Sequence, residues 1–425
     1  MDAVRSIAEL KNQVGVDDTS IIYVLGYYTP GDGGGGYFYW DGTSIEADDT
    51  GTIIQTNLLG TSAGRWKRNK ADYISVAWFG AIGNNGNNDV AFSNAITSAL
   101  NQWSGLGGTV KVPSGRYSLF SPIVLNVDNY RINILLEAGC QIFNYSTTCL
   151  FDVSGYVNFS LTGDAKGIAE IRCEEDCDCI VSLFKSGSPV RGWGKIENIS
   201  FNGNEKCGKA IKAINFPTGV FENNKFTGCT EYNIYAESCW GNKYINNFHS
   251  SMPSGAIACI ALSDCTNSLL QGERFEPENS ICIKFLTMST ADVIGGNSIT
   301  IFACSFETSS EPAIDIVGTG LGSMDSLLIQ NCFFEGISPF NIQPFSSSPQ
   351  YKNIEISGCS IASPASGQSS LINGVDSLLI TNTYHKMPIT IDSIVNNFVS
   401  ICNTFYNGTT YTLTYNGVNP AVFLP

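Results

Sequence analysis

From residue 196 onward the chain carries short stretches in which every second position is apolar, as in IEISG, SLLIT and AIDIVG. Such alternation predicts β-strands with one buried face. The stretches belong to a longer theme: IENISF, FENNKF, YINNFH, LLQGERF, ITIFACSF, LLIQNCFF, IEISGCSI, LLITNTY and VSICNTF. Aligned on the closing aromatic or aliphatic residue, they give Phe201, Phe226, Phe248, Phe275, Phe306, Phe334, Ile361, Tyr384 and Phe405, at gaps of 21 to 31 residues. A period of this size predicts a solenoid whose coils cannot bury their own apolar faces alone. Leucine-rich repeats share the period but demand several leucines and a fixed Asn, which these segments lack. A parallel β-helix fits better, because its turns lengthen without disturbing stacked strands.

Two residues before the aligned position runs a second column: Asn224, Asn246, Glu273, Cys304, Cys332, Cys359, Asn382 and Asn403. Stacked amides hydrogen-bond along such a ladder, and stacked thiols fill the same narrow space without needing partners. Much of the content of fifteen cysteines is thereby assigned to the core. Upstream, the spacing predicts a helix from Asp89 to Asn101, followed by the first coils in GGTVKVPSGRYSLFSPIVL. A helix over the end of a β-helix covers its open core and its edge strands. The expected organisation is an all-β chain with a small β module over residues 1–75 and the parallel β-helix over 76–425. MDAVRSIAELKNQVG, at the start, has the spacing of a short amphipathic helix.

Inside the first module, Gly31, Gly33 and Gly36 satisfy GxGxxG within YTPGDGGGGYFYWD. The dinucleotide fingerprint needs a strand before it and a helix opening directly after it. Here both flanks, SIIYVLGYY and YFYWD, read as strands, so the cluster predicts a hairpin turn. No Lys-Ser or Lys-Thr closes the run, which excludes a P-loop.

Composition narrows the partners. Charged residues make up 14% of the chain, against roughly 25% in ordinary soluble domains, so polar surface must come from Asn, Ser and Thr. A net charge of −15 leaves no basic patch for nucleic acid. The N-terminus lacks the apolar core of a signal peptide, and no run has the length of a membrane span. Synthesis in a reducing cytosol with free thiols is expected. In IRCEEDCDC, Cys173, Cys177 and Cys179 stand among four carboxylates, but not at the CxxC spacing of structural zinc sites and with no fourth ligand evident. The cluster reads as a surface turn between coils, and no metal or cofactor is expected.

The stretch after residue 75 resembles the pectate-lyase-like superfamily of right-handed, single-stranded parallel β-helices, especially bacteriophage tailspikes and capsule depolymerases. The residues that carry the resemblance are Trp78-Phe79-Gly80-Ala81, the helix around Ala95 to Leu100, Gly107-Gly108-Thr109-Val110 and Val112-Pro113-Ser114-Gly115-Arg116-Tyr117. The family's acidic loop is replaced here by Gly83-Asn84-Asn85-Gly86-Asn87-Asn88-Asp89. The Gly-rich hairpin looks like the module that often precedes this signature. The resemblance implies an elongated homotrimer of the virion tail, made in the host cytoplasm and acting outside it, that binds and often cleaves a bacterial surface polysaccharide. Members include hydrolases, lyases and silent adhesins, so the site must decide the chemistry.

One residue past the aligned position, Glu276, Glu307 and Glu335 fall in consecutive coils, with His249 and His385 in the same column. Neighbours along an outward column lie about 4.8 Å apart. Stacked carboxylates repel, which is relieved when one is protonated, and a protonated acid beside an ionised one is what glycoside hydrolysis requires. The expected catalytic set is Glu276, Glu307 and Glu335, with Glu273 enriching the QGERFEPENS coil. Arg274, His249, Trp240, Lys284 and Asp315 are the expected substrate-binding residues, the last two as a surface ion pair. Lys243, Tyr244 and His249 supply the residue types of a polyuronate lyase, the runner-up; a non-catalytic glycan-binding spike is the third reading.

Overall fold

The computed structural model describes residues 2–424, except 70–71, 102–106, 126–130, 155–157, 166–168, 185–192, 287–297, 318–323, 344–350, 363–369, 386–388, 392–394, 396, 402, 406–412 and 416–421. Near the start, five strands form a sheet in the order Asp2–Val4, Ile21–Val24, Gly36–Asp41, Arg65–Arg68, Ile53–Gln55. The first pair is parallel and the others antiparallel. Its core holds Ile7, Leu10, Ile22, Val24, Phe38, Trp40, Ile54 and Trp66. The expected N-terminal helix is only the turn Ile7–Leu10, because Asp2–Val4 joins the sheet edge instead.

Strands Ile21–Val24 and Gly36–Asp41 form the predicted hairpin. Its Gly-rich loop cradles an anion after all, namely its own Asp32: the carboxylate accepts from the N–H groups of Tyr27, Tyr28, Thr29 and Gly34 at 2.7–3.0 Å. Those backbone bonds outweigh partial burial and lower the Asp32 carboxyl. The buried Arg68 guanidinium donates to the carbonyls of Gly34, Gly35 and Gly51 and lies over the rings of Phe38 and Trp78. One cation thereby ties the hairpin to the WFGA segment.

The rest is a right-handed parallel β-helix. Each coil contributes one strand to a 14-stranded sheet and, to a continuous 23-stranded sheet that bends around the coil, either two short strands or one long one, as in Ile199–Ile214 and Lys225–Glu237. In the middle of the chain the coil runs Lys243–Ile245, Phe248–Ser250, Ala258–Ser263, then Leu269–Gln271 of the next. We call these three strand positions the first, second and third faces. Between the first and second lies a two-residue turn whose leading residue is left-handed: Asn223, Asn246, Gly272, Ala303, Asn331, Gly358 and Asn382 have φ of 49–64°. Asn and Gly dominate because they adopt that conformation at least cost.

The second turn residue points inward, and two residues later comes the core ladder Phe201, Phe226, His249, Phe275, Phe306, Phe334, each ring 4.7–5.3 Å from the next and nearly parallel to it. The expected alignment is thus off by one in two coils. His249, not Phe248, pairs with Phe226 and Phe275, and His385, not Tyr384, pairs with Ile361. The inward turn column is accordingly Asn224, Asn247, Glu273, Cys304, Cys332, Cys359, Thr383 and Asn403. The helix Asp89–Leu100 buries Ala91, Phe92, Ala95, Ile96 and Ala99 and packs on Val76–Phe79 and the first coil strand, Gly107–Val112.

Candidate functional site

The register sorts the expected site residues into a core group and two outward faces. Glu273 is in the core. It is 1% exposed, and its Oε1 accepts from the backbone N–H and Nδ2 of Asn247, both at 3.0 Å. Its Oε2 lies 3.0 Å from Nε2 of His249, whose Nδ1 is 3.2 Å from Nδ2 of Asn233. Both rings flanking His249 are phenylalanines, and the imidazole is fully buried. Neither Glu273 nor His249 can touch a polysaccharide, which corrects the roles expected of them. Tyr244 is buried as well, so the set Lys243, Tyr244 and His249 does not assemble on a surface.

On the second face the Glu column stands as expected. Glu307 pairs with Glu335, and Phe275 with Phe306, which sets Glu276 beside Glu307. Glu276 and Glu307 are half-buried and Glu335 exposed. The repulsion between the first two is answered by a cation. Arg274 forms an ion pair with Glu276 and lies 4.0 Å from Glu307, while Ser305 Oγ donates to Glu307 at 2.7 Å. The Arg274 guanidinium also stands over the Phe248 ring.

On the third face the expected pair Lys284 and Asp315 belongs to a longer column. Lys212, Tyr235, Ala261, Lys284, Asp315 and Asn341 form one outward column by register. Lys284 and Asp315 pair at 2.7 Å, with Asp315 buried by Asn341, which donates to it. Gln343 lies two residues further along the strand, level with Val317. Around Ala261 cluster Tyr232, Tyr235, Ile281 and Leu286, an apolar patch on the outside of the coil.

Where this face ends, Glu237 pairs with Ser263 of the next coil, and Asp264 follows in a left-handed turn. Tyr235 Oη donates to Glu237 Oε2 at 2.7 Å. The Asp264 carboxyl is raised, first by burial and then by the charge of Glu237; its buried Oδ2 has no hydrogen-bond partner among the described residues. Trp240, bridged to Thr266 of the next coil, is exposed at the same corner. Trp193 is also exposed. The structure therefore places a carboxyl raised above its ordinary value near a second carboxyl that is held by the Tyr235 phenol, with Trp240 exposed at the following turn. The sequence signal was weak, because Glu237 and Asp264 fall at different distances from the aligned aromatics.

Comparison with known proteins agrees with the fold. Residues 3–71 match a family model described as the phage tail protein small four-stranded beta-sheet domain. No curated protein matches the chain by sequence. Among solved structures it is similar to the tailspike protein of Acinetobacter baumannii phage AM24, with TM-score 0.58, 12% identity, and coverage of 96% of this chain and 65% of that one. The tailspike protein of Acinetobacter phage vB_ApiP_P1 gives TM-score 0.56 and 15% identity over 98% of this chain and 71% of that one. The tailspike protein gp49 of Acinetobacter baumannii bacteriophage Fri1, a capsular polysaccharide depolymerase, gives 0.53 and 11% over 98% and 77%. The chain spans 56% of the enzymatically active domain of bacteriophage CBA120 tailspike protein 2. These likenesses are of fold: the chain has the tailspike type of β-helix.

Proposed function

We propose that the chain is a virion tail component that binds and cleaves a bacterial surface polysaccharide by glycoside hydrolysis, with Asp264 as general acid and Glu237 as its carboxylate partner. The observation that carries this reading is the raised Asp264 carboxyl, whose buried Oδ2 has no hydrogen-bond partner among the described residues, beside a Glu237 held by Tyr235. A proton donor must hold its proton near neutral pH, and its partner must stay ionised to stabilise or attack the anomeric carbon. Adjacent coils lie about 4.8 Å apart, close to the roughly 5 Å carboxyl separation of retaining enzymes. Trp240 offers a flat apolar face for sugar rings. The resemblance to tailspikes supports a homotrimer acting at the host surface.

A second reading puts cleavage at Glu276, Glu307 and Glu335, favoured by their stacking with Arg274 on one outward face. The test is depolymerisation of a panel of capsular and O-antigen polysaccharides, followed by reducing ends and product mass. Asp264→Asn and Glu237→Gln should each lower turnover by about 10²-fold or more, while Glu276→Gln, Glu307→Gln and Glu335→Gln retain it. The reverse pattern moves the chemistry to the second face. Unsaturated products indicate elimination, and glycan binding without shortening marks an adhesin; either result overturns hydrolysis.

A further inference from the structure

The turn IRCEEDCDC is not the surface loop that its sequence suggests. Cys173 closes the strand Ala169–Cys173 and is fully buried, while Cys177 opens Cys177–Phe184 and is half-buried. Their sulfurs lie 3.6 Å apart. The third thiol comes from the next coil, where Cys207 pairs with Cys177 by register. The sulfurs of Cys173, Cys177 and Cys207 all lie within 4.8 Å of one another. A zinc ion with Zn–S bonds of about 2.3 Å sets its tetrahedral sulfur edges at roughly 3.8 Å, which the Cys173–Cys177 edge of 3.6 Å nearly matches.

The surroundings distinguish this cluster from the other cysteines. Cys304, Cys332 and Cys359 stack one per coil, and each sulfur donates to backbone carbonyls, among them those of Leu270, Ile301 and Ile329. At the triangle, Asn144 Nδ2 points at both Cys173 and Cys177 sulfurs at 3.7 Å, the kind of outer donor that steadies a metal-bound thiolate. Cys207 Sγ does lie 2.9 Å from the Lys209 carbonyl, a contact that it gives up on ionising. Cys177 also lines a cleft of about 470 Å³ whose wall carries Asp176, Asp178, Glu205 and Glu231. Asp178 and Glu231 are ion-paired with Lys209 and Lys212, so it is Asp176 and Glu205 at that mouth that draw cations toward Cys177, the half-buried thiol of the three.

We propose that Cys173, Cys177 and Cys207 form a thiolate site for a zinc-like divalent ion, with the fourth coordination position open to the acidic cleft. Soft sulfur donors select such ions over magnesium or calcium. Each ligand binds as thiolate, so three protons leave for solvent as the metal enters. The resulting net charge of the divalent ion and three thiolates is −1, and Lys206 and Lys209 stand nearby to offset it. Because two ligands come from one coil and the third from the next, the ion would clamp consecutive coils.

Cobalt(II) titration of the fully reduced, full-length chain tests this directly. The expected result is a sulfur-to-cobalt charge-transfer band saturating at one equivalent per chain and bleached by zinc. Cys177→Ser and Cys207→Ser should abolish the band, while Cys332→Ser keeps it. Zinc should raise the thermal midpoint of the unsubstituted chain but not of Cys177→Ser, whose position is half-exposed and so tolerates the change if Cys207→Ser fails to fold. A reduced protein that takes up no cobalt, or one that keeps the full band in Cys177→Ser, overturns the proposal.

Discussion

One position in the coil, the inward residue of the two-residue turn, is solved in two chemistries along the same ladder. In one half it is Asn224, Asn247 and Glu273, whose side-chain oxygens accept from the backbone N–H of the preceding coil at Ile199, Asn224 and Asn247. In the other it is Cys304, Cys332 and Cys359, whose sulfurs donate weakly to backbone carbonyls. An amide or carboxylate couples coils through strong, directional bonds but must be satisfied completely in a dry core. A thiol fills the same volume and loses little if a partner is missing. The amide half therefore specifies register, and the thiol half supplies packing.

Removing Glu273 should break this contrast most visibly. Glu273→Ala leaves the Asn247 N–H, its amide and His249 without their acceptor in a fully buried site, a loss of about 3 kcal/mol or more. Urea unfolding should show a far larger fall in midpoint than for Glu273→Gln, which keeps an acceptor. A comparable effect comes from pH in the coil beyond the thiols. Burial pushes the His385 imidazole down to about 4, so on acidification the unfolded chain takes up the proton first. Stability then falls as pH drops from about 6.5 to about 4 and levels off below, by roughly 3 kcal/mol for this group. His385→Phe, which preserves a flat ring in the ladder, should remove that slope from the pH profile of unfolding. The smallest effect belongs to the thiols: Cys332→Ala should cost about 1 kcal/mol, the value of one small buried group. If Cys332→Ala proved as damaging as Glu273→Ala, the division of labour would be wrong.

Much of this architecture is legible in the sequence. Alternating strands, the coil period and the capping helix all follow from local pattern, and Glu276, Glu307 and Glu335 share a face because they follow three successive inward phenylalanines. The errors arose where aromatic identity was taken as the register mark. Phe248 and Tyr384 are aromatic yet point outward, while His249 and His385 are polar yet point inward. The turn dipeptides, Asn246-Asn247 and Asn382-Thr383, mark the register better, since a left-handed φ constrains the residue more tightly than a ring does. Asp264 and Glu237 escaped notice because their neighbourhood depends on how far the chain runs between faces, a length that varies from coil to coil.

The sequence by itself determined the solenoid, the hairpin and the inward stacking of rings and thiols, because each follows from hydrophobic period and turn chemistry acting over a few residues. Tertiary structure alone decided which ionisable and thiol groups meet where the turns between strands differ in length. Glu237 stands 27 positions before Asp264, and Cys177 stands 30 before Cys207, yet coil stacking makes each pair neighbours. Burial then changes what the groups are: it puts Glu273 and His249 out of reach of substrate and raises the Asp264 carboxyl above its ordinary value. Those outcomes depend on desolvation and on charges from the adjacent coil, which no stretch of sequence contains.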